Sequence, residues 1–155
     1  NKEKVNHVNI FSGEMSYVNG PICLQMEALQ TTINSIPEIE RSSIINHEII
    51  SYYGQVSYFL TGESRSYKNS LSGFGRLNPK NNYGENGWGA FELAARFSAI
   101  NTQKNGSLED ITLGVNWHLN PNTRVMFNYV KGEMVNELGE ITLENALMMR
   151  VQLDF

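Results

Sequence analysis

Alternation of apolar and polar residues at a period of two constrains this chain most. A pleated strand sends successive side chains to opposite faces, and a helix cannot hold that pattern. The last residues show it best. Leu147, Met149, Val151, Leu153 and Phe155 fall on one face, and Met148, Arg150, Gln152 and Asp154 on the other. The segment 111–119 repeats it, with Ile111, Leu113, Val115, Trp117 and Leu119 opposite Thr112, Gly114, Asn116 and His118. Asn120-Pro121-Asn122 is a turn signal, and Val125, Phe127 and Tyr129 then alternate with Arg124, Met126 and Asn128. A tight hairpin is predicted there.

The same reading runs upstream. Phe91, Leu93, Ala95, Phe97 and Ala99 oppose Ala90, Glu92, Ala94, Arg96 and Ser98. Ile50, Tyr52, Val56, Tyr58 and Leu60 oppose Ser51, Tyr53, Gln55, Ser57 and Phe59. Residues 7–19 and 22–33 flank a second turn signal, Asn19-Gly20-Pro21. Ile22, Leu24, Met26 and Ala28 oppose Cys23, Gln25, Glu27 and Leu29, while Phe11, Met15 and Tyr17 are assigned outward and Glu14 and Ser16 inward. Seven antiparallel strands are expected, with long connections at 34–47, 63–87, 101–108 and 131–142. The segment 63–87 carries Gly73, Gly75, Pro79, Gly84 and Gly87, so an ordered coil is expected there.

Composition narrows the class. A chain of 155 residues suggests one domain at most. No apolar run reaches the length of a transmembrane helix, and mean hydropathy is −0.34. Neither fact touches a membrane barrel, whose alternating strands average to a soluble-looking value. Lys and Arg number 12 against 16 Asp and Glu, a net charge of −4, so no nucleic-acid partner is expected. The single Cys23 excludes an internal disulfide and a multi-cysteine metal site. The chain begins at Asn1 without Met or an apolar leader, from which processing or truncation of the natural start is expected.

A soluble β-sandwich would also alternate. Two details favour a membrane wall. Aromatics mark the ends of the apolar faces: Tyr17, Tyr58, Trp117 and Phe155 toward one end, Tyr52 and Tyr129 toward the other. The opposite faces carry charges at mid-strand: Glu14, Glu27, Glu92, Arg96 and Arg150. A water-filled lumen accepts those, as an exposed sandwich face also would.

Three blocks then carry a resemblance: Tyr58-Phe59-Leu60-Thr61-Gly62-Glu63-Ser64-Arg65-Ser66-Tyr67, Gly89-Ala90-Phe91-Glu92-Leu93-Ala94-Ala95-Arg96-Phe97-Ser98, and the run from Leu113 to Val130 around Trp117-His118-Leu119-Asn120-Pro121-Asn122. In order and spacing they resemble the C-terminal half of the phosphate-selective porin O and P family. The resemblance implies an antiparallel, up-and-down transmembrane β-barrel of about sixteen strands, of which 1–155 would be the C-terminal part of the single barrel domain. It also implies a homotrimer in the bacterial outer membrane that conducts small anions. An unclosed sheet would leave bare edges in lipid, so partner strands are expected upstream of Asn1. If Phe155 ends on the periplasmic side, the turns 19–21 and 120–122 and the coil 63–87 are periplasmic, and the other connections extracellular.

Inward arginines Arg96, Arg124 and Arg150 are the leading pore-lining candidates, with Lys131 near an extracellular strand end as a recruiting charge. Guanidinium groups stay charged and offer a planar fork to phosphate-like anions. The plainer alternative is that these arginines pair with lumen glutamates as wall structure. Counting back from the 19–21 turn brings Glu14 beside Glu27 on the inward face. Those two carboxylates repel, and with Glu92 they oppose the arginines, a balance that would suit small polar solutes as well as anions. Glu133, Glu137 and Glu140 form an acidic outer rim in 131–142. His118, beside the Asn120-Pro121 turn, is expected to make a hydrogen bond at the lumen edge.

Catalysis, a cofactor and a metal are not expected, because no residue set has the spacing of a catalytic or ligand site. The expected partners are outer-membrane lipid, small anions or polar solutes, and the barrel-assembly machinery through Phe155. A structural or adhesion barrel without conductance is the second reading, and a soluble sandwich the third.

Overall fold

The computed structural model describes residues 3–37, 45–67, 73–85, 87–103 and 106–155. Its strands are β1 (Glu3–Asn19), β2 (Ile22–Pro37), β3 (Ile45–Phe59), β4 (Ala90–Asn101), β5 (Ser107–Asn120), β6 (Thr123–Val135) and β7 (Ile141–Leu153). They form one seven-stranded sheet in chain order, every neighbour antiparallel. Among the described residues there is no second layer, which a sandwich requires. The sheet is open, with β1 and β7 at its edges.

Local chemistry explains the turns. Gly20 takes φ 53°, a conformation free of penalty only for glycine, and Pro21 follows where no ladder donor is needed. At the β5–β6 turn the Asn120 side chain accepts from the Asn122 amide at 2.9 Å. Between β6 and β7, the Asn136 side-chain oxygen accepts from the amides of Leu138 and Glu140 at 3.0 and 2.9 Å.

The strands run longer than the alternation alone suggests. β6 continues to Val135 and β7 starts at Ile141, so the expected 131–142 loop shrinks to residues 136–140. Likewise β5 starts at Ser107, and β2 and β3 reach Pro37 and Ile45; residues 38–44 lie outside the described set. The physical reason is that a strand leaving an apolar layer meets water on both faces. There the ladder persists while the apolar code stops. Thirteen residues span about 43 Å, and tilting by about 40° projects this to about 33 Å, enough to cross a hydrocarbon layer.

Register aligns the faces into cross-strand rows. One runs Tyr17, Leu24, Val56, Ala95, Leu113, Tyr129, Leu147, apolar or aromatic throughout. That face is exposed, Leu147 at 85% and Met149 at 66%, while the buried apolar side chains of the strands are Cys23, Phe59 and Ala90 among the described residues. Each large apolar side chain withheld from water contributes about 1.5–3 kcal/mol. A sheet with this much uncovered apolar surface is matched to lipid, not to water. At the turn end, Phe91 stacks on Trp117 at 5.6 Å, Tyr83 meets Trp117 edge-on at 5.3 Å, and the Trp117 indole donates to the Trp88 carbonyl at 2.6 Å. Such a cluster suits a headgroup boundary, where a ring is half apolar and half wet.

The described part of the β3–β4 connection is coil with two isolated bridges, as the glycines suggest. It is not a free loop. The Tyr83 amide donates to the Leu119 carbonyl at 2.7 Å, and the Gly89 amide to the Asn81 carbonyl at 3.1 Å. Gly89 has φ 76°, and a Cβ there would collide with the His118 carbonyl oxygen.

Candidate functional site

The polar face opposite the apolar rows carries the chemistry, and register orders its charges. One row reads Glu14, Glu27, Tyr53, Ser98, Asp110, Gly132, Glu144. The next row toward the turns contains Arg96, between Gln55 and Thr112. Beyond it, Glu92, Asn116, Met126 and Arg150 share a row, and His118, Arg124 and Gln152 another. Carboxylates therefore concentrate on the loop side of the face and arginines on the turn side.

Glu14 and Glu27 are direct cross-strand partners, as the turn count requires. Asp110 accepts hydrogen bonds from the hydroxyls of Ser98 and Thr112, the latter at 3.1 Å.

The Arg96 guanidinium lies over the Tyr53 ring at 4.1 Å. Arg124 donates through Nε and Nη2 to the Gln152 amide oxygen at 3.1 and 2.7 Å. Arg150 stands on the same face, on the edge strand. Among the described residues no carboxylate pairs with these three, so their charges are not cancelled at close range. Lys131 does not join them. It shares parity with Tyr129 and aligns with Ile111 and Asn145, which puts it on the apolar side near the loop end. Glu133 shares that side and is part of β6, so the acidic rim is strand at one of its three positions. Position near a strand end suggests a lumen role for Lys131; parity overrides it.

Glu92 pairs with an arginine from outside the strands. It is fully buried, and its Oε1 accepts from Arg65 Nε at 3.2 Å and Nη2 at 2.6 Å. Its Oε2 accepts from Asn116 at 2.9 Å and lies 3.3 Å from His118 Nε2, the bond expected of that histidine. The Arg65 guanidinium also faces the rings of Phe59 and Phe74 at 5.7 and 5.8 Å. Glu63, also buried, accepts from the Thr61 hydroxyl and from the Lys80 amide at 3.2 Å. The connection thus folds against the inner face at the turn end.

Four charged residues of this face escape the sequence pattern. Asp110 and Glu144 continue the period of two just outside the alternating runs 111–119 and 147–155, though within the strands that the connections 101–108 and 131–142 leave. Arg65 and Arg76 lie in coil, where no periodicity points them anywhere. Among the described residues no group of three or more His, Cys, Asp or Glu could hold a metal ion.

The sequence model of the family described as phosphate-selective porin O and P matches residues 1–155. Porin O of Pseudomonas aeruginosa is 26% identical over 138 residues, covering 81% of this chain and 30% of that protein. The chain thus spans less than a third of the length of the curated relative it matches.

Proposed function

Because the chain belongs to the phosphate-selective porin O and P family, we propose that it is part of the wall of an outer-membrane barrel through which small anions diffuse. The polar face lines a water-filled lumen and the apolar rows meet lipid. Strands from the rest of a longer polypeptide satisfy the edges of β1 and β7, since an open sheet edge is not tolerated in hydrocarbon. A homotrimer and delivery by the barrel-assembly machinery complete the reading.

One observation carries the anion preference. Arg96, Arg124 and Arg150 stand on the inner face without close carboxylate partners among the described residues. A guanidinium left uncancelled can replace part of an anion's water shell with charge-assisted hydrogen bonds. Diffusion needs no more than this, because a pore must bind weakly enough to release. The carboxylate row on the loop side tempers the field, so selectivity is moderate.

The test is the zero-current potential of the full-length protein in a planar bilayer across a KCl gradient, followed by addition of phosphate. A chloride-selective pore whose current phosphate reduces supports the reading. A cation-selective pore, or a folded protein without conductance, overturns it.

A further inference from the structure

A cavity of about 340 Å³ on the polar face holds charges of both signs that do not meet. Glu27 of β2 and Asp110 of β5 stand at its two sides. Arg96 of β4 lies between them, one row nearer the turns. Among the described residues no salt bridge joins its guanidinium to either carboxylate. Tyr53 holds Arg96 across its ring at 4.1 Å, and the hydroxyls of Ser98 and Thr112 orient Asp110, the latter at 3.1 Å.

The wall on the loop side of these charges is apolar. The register row next to the carboxylates reads Ser12, Leu29, Ser51, Ile100, Leu108, Met134, Thr142. Leu29, Ile100 and Leu108 line the cavity, and Leu108 is 44% exposed. Apolar side chains facing a water-filled lumen gain free energy only when something covers them. From loops to turns the cavity thus carries an apolar row, a carboxylate row and an arginine. Residues sharing a face are two positions apart, so successive rows are about 7 Å apart.

We propose that this cavity is a binding site for short peptides with a free amino terminus and an apolar first residue. The ends of an extended dipeptide lie about 7 Å apart, the spacing of the carboxylate row from Arg96. The ammonium meets Glu27 or Asp110, the terminal carboxylate meets Arg96, and the first side chain lies on Leu29, Ile100 and Leu108. Charges already paired with each other could not serve a ligand. These are oriented by neutral groups and stay available for charge-assisted hydrogen bonds. A zwitterion has no net charge, so neither sign in the lumen repels it, whereas an inorganic anion satisfies one of the three rows. The proposal rests on the polar face lining a pore and adds a second class of solute.

The experiment is block of chloride current through the full-length channel in a planar bilayer. The probes are leucylglycine, its N-acetyl form, which lacks the ammonium, and glycylglycine, which lacks the apolar side chain. Leucylglycine should block at about tenfold lower concentration than either, the difference of roughly one charge-assisted hydrogen bond or one covered side chain. Glu27→Gln with Asp110→Asn should bring leucylglycine and its N-acetyl form together. Leu108→Thr should bring leucylglycine toward glycylglycine. Each comparison is made within one channel, so a lower yield of folded variant does not mimic it, and the wild-type comparison needs no variant. Equal block by the N-acetyl form or by glycylglycine in the wild type, or no block by any of the three, overturns the peptide site. Chloride selectivity measured without peptide tests the anion pore separately, and a channel that does not conduct overturns both.

Discussion

Arg65 Nη2 stands 2.6 Å from Glu92 Oε1 across 27 residues of sequence, and the carboxylate it meets is wholly buried. This pair fastens the β3–β4 connection to the inner face. A buried charge stripped of its partner costs about 3–5 kcal/mol, more than the pair itself contributes. Arg65→Ala should therefore release the connection. The check is limited proteolysis of the full-length protein in detergent, with cleavage between residues 61 and 89 expected to accelerate. Glu92→Gln should have a smaller effect, because an amide keeps the bond to Asn116 or His118. Equal protease resistance in Arg65→Ala and wild type would show that other contacts hold the segment.

Arg96 owes its position to Tyr53, whose ring it covers at 4.1 Å. Arg96→Glu exchanges a positive for a negative charge on the polar face and should shift the reversal potential toward cations. Tyr53→Ala removes the support, worth about 0.5–1 kcal/mol at an exposed site, and should shift selectivity in the same direction by less. A reversal potential that ignores Arg96→Glu would assign this arginine to the wall.

Much of this arrangement is legible in the order of the residues. A tight turn and a period of two fix register, so the Glu14–Glu27 pairing follows from counting. What period two cannot show is where a strand stops once both faces are wet. Asp110 lies one residue outside the span that alternation marks for β5, and Glu144 three residues outside that for β7, so alternation alone leaves the acidic row half empty. Lys131 shows the converse. Its parity with Tyr129 places it on the apolar side, and nearness to a loop is the weaker guide. Arg65 and Arg76 carry no signal at all, because coil has no periodicity and their partners are remote.

The acidic row gives a prediction opposite in sign to that for Arg96. Glu27→Gln with Asp110→Asn removes two charges from the loop side of Arg96 while leaving hydrogen-bonding capacity at both positions. Anion selectivity should rise, most clearly at low salt, where charges act beyond the Debye length of about 10 Å found at 0.1 M. Glu27→Gln should also stabilise the β1–β2 pairing by about 0.2–1 kcal/mol, since like charges directly opposite each other repel. Thermal unfolding and reversal potential measured on the same variants check both. A fall in anion selectivity would mean that the row does not face the ion path.

Phe155 separates stability from recognition. β7 ends at Leu153, the Asp154 amide closes onto the Asn122 carbonyl at 2.8 Å, and Phe155 beyond it is 109% exposed. A side chain that touches so little adds almost nothing to the folded sheet, so Phe155→Ala should leave the melting temperature of refolded protein unchanged. If delivery runs through the barrel-assembly machinery, as proposed above, with Phe155 as the residue it reads, the same variant should lose outer-membrane assembly several-fold in cells. Phe155→Tyr should retain most of it. The yield of folded protein in outer-membrane fractions, beside the melting temperature, makes the distinction. Equal yields for Phe155→Ala and wild type would leave the terminal aromatic without a role in delivery.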